Sequence, residues 1–154
     1  MRNNALTETE RTAWASYQRM RVQLAGRIHR ELARATGLSE ADYEILSALT
    51  EAEQESVRVL ALRCGLEWEK SRLSHQLRRM EERGLVTREE CVEDNRGAVV
   101  RVTEAGRKAA AEARQHYEQA VRRYVTDVLT PEQLAALEDI AETVLSQFER
   151  THTP

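Results

Sequence analysis

Between Glu67 and Val86 the chain reads EWEKSRLSHQLRRMEERGLV, and this stretch restricts the fold more than any other. Leu73, Leu77 and Met80 recur at spacings of four and three, which puts them on one face of a helix roughly four turns long. Lys70, Ser71, Arg72, Ser74, His75, Arg78 and Arg79 take the other face, and no acidic residue interrupts the run from Lys70 to Met80. Glu67 and Glu69 are expected in the first turn, where the helix dipole favours negative charge, and Gly84 is expected to stop the helix before an extended segment opens at Leu85. A buried stripe behind cations and short hydrogen-bonding side chains suits the major groove of a duplex. The cations meet phosphates, while Ser, His, Gln and Arg reach base edges. A solvated outer helix of a bundle would carry the same residues, so the flanking sequence has to decide.

Upstream, Thr7 to Ala35 patterns as one long helix with Trp14, Tyr17, Leu24, Ile28 and Leu32 along an apolar stripe. Gly37 ends it, and Ser39 with Asp42 three residues on predicts a capping box for a second helix, whose inner face holds Tyr43, Leu46 and Leu49 and which ends near Glu51. Ser56 is expected to cap a short third helix with Val59, Leu60 and Leu62 inside and Gly65 closing it. Two short helices joined through a Gly-containing turn, the second basic on its outer face, make a helix-turn-helix.

Downstream, Leu85 to Val92 reads as a strand, Glu93 to Gly97 as a turn and Ala98 to Val102 as a second strand, giving a β-hairpin. Its alternation is poor, since Arg88 and Glu90 fall on the same side as Val86. Thr103 is expected to cap a long helix reaching about Leu129, and Thr130-Pro131 to start a last one with Leu134, Leu137, Ile140, Ala141, Val144, Leu145 and Phe148 along one side.

The fold expected is mainly α with a small β-hairpin wing: a winged helix-turn-helix between long N- and C-terminal helices. At 154 residues with 32% charged and 5% aromatic side chains, the composition is that of a structured, helix-rich chain. A formal charge of −3 argues against indiscriminate coating of nucleic acid, though not against a local basic patch. Cys64 and Cys91 form no CxxC pair, and no apolar run approaches a membrane span, so a cytoplasmic protein is expected. The four His are scattered, and no HExxH, GxSxG or Gly-rich phosphate loop occurs; neither an enzyme nor a metal or cofactor site is expected.

In this order of elements the chain resembles the MarR (multiple antibiotic resistance regulator) type of transcription factor over nearly its whole length. The most specific match is Asp94-Asn95-Arg96-Gly97-Ala98-Val99-Val100-Arg101-Val102-Thr103-Glu104-Ala105-Gly106, which follows the wing signature D-x-R-x-x-x-V-x-L-T-x-x-G with Val102 in place of Leu. Leu38-Ser39 and Glu82-Arg83-Gly84-Leu85-Val86 also follow the family pattern. The resemblance implies a homodimer, with 1–37 and 105–154 as interlocking dimerisation segments and 38–104 as the DNA-binding domain, that reads pseudo-palindromic operators, usually as a repressor. Burial argues the same way: the end helices hold more apolar surface than one small winged domain can cover.

By that correspondence Ser71, Arg72, Ser74 and His75 face the groove, with Arg72 and His75 assigned to base edges and Ser71, Ser74, Lys70, Arg78 and Arg79 mostly to phosphates. Gln76 either reads adenine or points sideways. Arg78 and Arg79 have a competing role in ion pairs with Glu81 or Glu82. Arg96, at the hairpin tip, is assigned to the minor groove, with Asp94 bracing either Arg96 or the turn. Family members also accept small aromatic anions, for which Trp14, Tyr17, Arg21, His29 and Tyr43 are candidate cleft residues; ordinary packing accounts for each taken singly. Oxidant sensing would need a low-pKa thiolate, and neither Cys64 nor Cys91 lies in the first helix, where peroxide-sensing members keep theirs. The competing function is a helical interaction or adaptor module without sequence-specific DNA binding.

Overall fold

The computed structural model describes residues 4–52, 56–90 and 97–150. In chain order these form α1 (Glu8–Thr36), α2 (Glu40–Glu51), β1 (Ser56–Arg58), α3 (Val59–Leu66), α4 (Lys70–Glu82), β2 (Val86–Glu90), β3 (Ala98–Val102), α5 (Glu104–Val121), a π-helical segment (Arg122–Thr126) and α6 (Pro131–Arg150). They divide into two compact units, residues 1–117 and 118–154. This is a winged-helix architecture, mostly helical with a small three-stranded antiparallel sheet in the order β1-β3-β2.

Local chemistry sets most helix ends. Thr7 caps α1 by accepting from the Glu10 amide, and the Glu10 carboxylate in turn accepts from the Thr7 amide (2.7 Å) and hydroxyl (2.9 Å), which hold its pKa below the ordinary value. Gly37 closes α1 in the left-handed conformation at φ 73°. Ser39 and Asp42 form the expected capping box on α2, and Thr130 with Gln133 forms another on α6.

Five expectations are corrected. Leu60 does not lie inside α3: it is 62% exposed, and Leu62 is the buried residue of the expected three. Ser56 does not cap α3; Ser56, Val57 and Arg58 form β1 and pair with Arg101, Val100 and Val99. Gly65 does not close α3, which runs to Leu66 and hands the left-handed position to Glu67 (φ 55°), while the Trp68 amide donates back to the Arg63 carbonyl. Glu67 and Glu69 therefore precede α4, with Glu69 at its N-cap, instead of lying in its first turn. The helix opened by Thr103 does not continue to Leu129: α5 ends at Val121 and the next turn widens, with the Asp127 amide bonded to the Arg122 carbonyl five residues back.

The core of the first unit forms around α4. Leu73, Leu77 and Met80 have no exposed surface and pack with Leu32 of α1, Ile45 and Leu46 of α2, Val86 and Val100 of the sheet, and Ala110 and Ala113 of α5. Each such aliphatic side chain contributes about 1.5–3 kcal/mol. The mismatch in β2 has a cause here, because Arg88 turns toward α4: its amide donates to Glu81 Oε2 at 2.9 Å and its guanidinium pairs with the same carboxylate. The apolar side of α6 is uncovered, with Ile140 61% and Phe148 58% exposed, and on α1 only Ile28 and Leu32 of the expected stripe are buried.

Candidate nucleic-acid interface

Burial of Leu73, Leu77 and Met80 fixes the rotation of α4 and so decides which residues face out. Lys70, Ser71, Arg72, His75, Arg78 and Arg79 are exposed, and Ser74 is half-buried. Arg72 lies with its guanidinium carbon 3.7 Å from the Trp68 ring centroid while the residue itself stays exposed. Arg78 pairs with Glu82 one turn on at 3.5 Å, the competing role foreseen for it; at a solvated i,i+4 position such a pair is worth about 0.3–0.5 kcal/mol and yields readily to a phosphate.

Gln76 points sideways. Its Nε2 donates to Asp42 Oδ1 at 2.6 Å, and Arg83 donates to Asp42 Oδ2 at 2.7 Å. Asp42 is 2% exposed and also receives the Ser39 amide, so this one carboxylate ties the start of α2 to the middle of α4 and to its C-cap. Sequence spacing foresees Asp42 as a cap but carries no sign of these long-range bonds, because its partners lie 34 and 41 residues away.

The far end of α4 is tied to α5. The Thr103 amide donates to the Leu85 carbonyl at 3.1 Å, and its hydroxyl reaches the carbonyls of Gly84 (2.6 Å) and Leu85 (3.1 Å) while accepting from the Gly106 amide. Gly106 is needed for this approach, since a Cβ there would lie 2.1 Å from the Leu85 oxygen. The wing strands follow directly, with β2 paired to β3 from Val86↔Val102 to Glu90↔Ala98. Arg96, Asp94 and Cys91 lie outside the described residues. Cys64 is free and exposed on α3.

The five aromatic-cleft candidates fall into two groups within one chain. Trp14 and Tyr17 touch each other (centroids 5.3 Å apart), and Arg21 bonds to Gln18, all on the outer half of α1. His29 lies eight residues beyond Arg21, about 12 Å further along that helix. There its Nε2 faces Glu40 at 3.3 Å, and Tyr43 stacks on Tyr117 of α5 at 4.8 Å. His29 Nδ1 is buried without a hydrogen-bond partner among the described residues. Burial, then the neighbouring Tyr43, Glu40 and Glu44, raises the Tyr117 pKa above its ordinary value. Sequence reading missed Tyr117 and Glu40, because only the packing of α1, α2 and α5 brings them to His29.

Comparison with known proteins agrees with this architecture. A MarR family model matches residues 36–97. No curated protein matches the chain. Among solved structures, AbsC of Streptomyces coelicolor, a MarR family transcriptional regulator, is 34% identical with a TM-score of 0.86, over 96% of this chain and 99% of that one. Sco3205, a MarR family regulator from the same organism solved in complex with DNA, is 33% identical with a TM-score of 0.85, over 94% of each chain. CouR of Rhodococcus jostii, bound to p-coumaroyl-CoA, shares the fold at 22% identity and a TM-score of 0.69, over 82% of this chain and 87% of its own. Among the described residues, no helix is long and apolar enough to cross a membrane, and no His, Cys, Asp or Glu cluster suits a metal. The chain belongs to the MarR family of winged-helix transcriptional regulators, which are DNA-binding transcription factors and not enzymes.

Proposed function

We propose that the chain acts in the cytoplasm as a homodimeric repressor of a pseudo-palindromic operator, with α4 in the major groove. The observation that carries this is the rotation of α4, whose apolar stripe is wholly buried while Lys70, Ser71, Arg72, His75, Arg78 and Arg79 stand exposed together. Arg72 and His75 read base edges, and Ser71, Ser74, Lys70, Arg78 and Arg79 hold phosphates. Arg96 reaches the minor groove, an assignment that rests on the sequence signature.

Residues 1–37 and 105–154 provide the dimer contacts in this proposal. Uncovered apolar side chains on α1 (Trp14, Tyr17, Met20) and α6 (Leu137, Ile140, Phe148) support it, because a face of that kind at helical spacing calls for a partner. Two copies then present α4 about one helical turn of DNA apart. A small aromatic acid is the proposed releasing ligand, with His29, Tyr43 and Tyr117 the better-formed of the two aromatic groups.

The test is enrichment of bound duplexes from a random pool, repeated with phenolic acids present, and paired with a salt titration. A palindromic motif is expected, with affinity falling steeply as salt rises. Salt-insensitive binding and no enriched motif would leave the adaptor reading in its place.

A further inference from the structure

Trp68 takes no part in the polar face of α4, yet the arginine in the first turn of that face rests on it. It lies in the turn between α3 and α4, 7% exposed, with its amide held by the Arg63 carbonyl at 3.1 Å. Arg72, four residues on and third in α4, sets its guanidinium carbon 3.7 Å from the centroid of this buried ring. At that separation the guanidinium sits over the face of the indole, and a guanidinium stacked on a ring keeps its N–H donors free in their own plane. Among the described residues its anchor is a ring and not a carboxylate, so the positive charge is left available to a ligand. A freely rotating arginine settles on the nearest phosphate; one held on a rigid face is already ordered. The first turn of a reading helix is also the part that meets base edges.

We propose that Trp68 is a specificity-determining residue: by holding the Arg72 guanidinium as a fixed fork, it directs Arg72 to the O6 and N7 of a guanine and away from the phosphate backbone. The inference rests on the reading of α4 as the groove-facing helix. It assigns a role in base selection to a residue that touches no base.

Enrichment from a random duplex pool tests it, with wild type, Arg72→Ala, Trp68→Leu and Trp68→Phe compared after each is shown to be folded by far-UV circular dichroism. Arg72→Ala is expected to flatten a guanine preference at one position of each half-site by about 10- to 100-fold, the worth of a bidentate pair. Trp68→Leu should flatten that same position by a similar factor, leaving other positions and the salt slope on random duplex unchanged. Trp68→Phe, with a weaker π face, should lose part of the preference there. If the leucine variant does not fold, the phenylalanine variant is judged by the same criterion. A folded Trp68 variant that keeps the full preference, or that weakens every position and random binding alike, overturns the proposal. Should wild type enrich no motif, the groove-facing reading fails with it; a wild-type motif that the Trp68 variants leave untouched refutes this inference alone.

Discussion

Replacing Gly106 with alanine sets two effects of opposite sign against each other. Helix propensity alone favours the variant, since alanine in place of glycine within a helix contributes up to about 1 kcal/mol. Close approach opposes it: the new Cβ would stand 2.1 Å from the Leu85 carbonyl oxygen and 2.8 Å from Val102 Cγ2. Backbone, and not a flexible side-chain tip, is in the way, so the start of α5 must retreat from Leu85 by about 1 Å to restore an ordinary C–H···O distance of ~3.3 Å. That retreat strains the bonds from the Thr103 amide and hydroxyl to the same carbonyl. Overpacking costs about 1–3 kcal/mol and each weakened hydrogen bond about 0.5–1.5, so after the propensity gain the net loss centres near 3 kcal/mol. Urea denaturation followed by circular dichroism, at matched protein concentration, reads the difference as a lower midpoint. A variant as stable as wild type, or more so, would show that the junction between α4 and α5 is not closed as described.

Other outcomes follow from the same contacts. Gln76→Ala should cost about 1.5–3 kcal/mol in denaturant titration, since it removes a bond to a buried carboxylate, and should leave base preference in pool selection unaltered. Tyr117 carries a raised pKa because burial, Tyr43, Glu40 and Glu44 disfavour its phenolate. Its contribution to stability is therefore intact below the unfolded value of about 10 and lost as pH rises through the folded value. Tyr117→Phe should flatten the alkaline decline in a stability–pH profile. Ile140→Arg, on the uncovered side of α6, should turn the proposed dimer into monomer at micromolar concentration by mass-resolved sizing; an unchanged mass would place the dimer contact elsewhere.

Features written in neighbouring residues were readable from the sequence. Thr7, Gly37, Ser39 with Asp42, and Thr130-Pro131 each mark a helix end within a few positions, and the structure places those ends within one residue of expectation. The stripe Leu73-Leu77-Met80 set the rotation of α4 for the same reason. What escaped was decided at a distance. Three residues are too few for a strand to show a period, and β1 exists because β3, some forty positions later, has a free edge to pair. Nothing local announces an i→i+5 turn at Arg122, or an αL residue at Glu67 when Gly65, two positions earlier, is better suited to it. At the candidate site, spacing separated the polar face from the buried one but could not tell that Gln76 answers Asp42, or that Arg72 rests on an indole.

Strand β3 pairs on one side with the segment leading into α3 and on the other with the segment leading out of α4. Both ends of the helix-turn-helix are thus clasped by a single strand made after it. As the polypeptide leaves the ribosome, the two helices and their turn can already pack against α1 and α2, but their outer ends stay unclasped until Ala98–Val102 emerges. The helix-turn-helix cannot be completed in isolation, and a nascent chain arrested short of the wing would lack the clasp that holds its ends together.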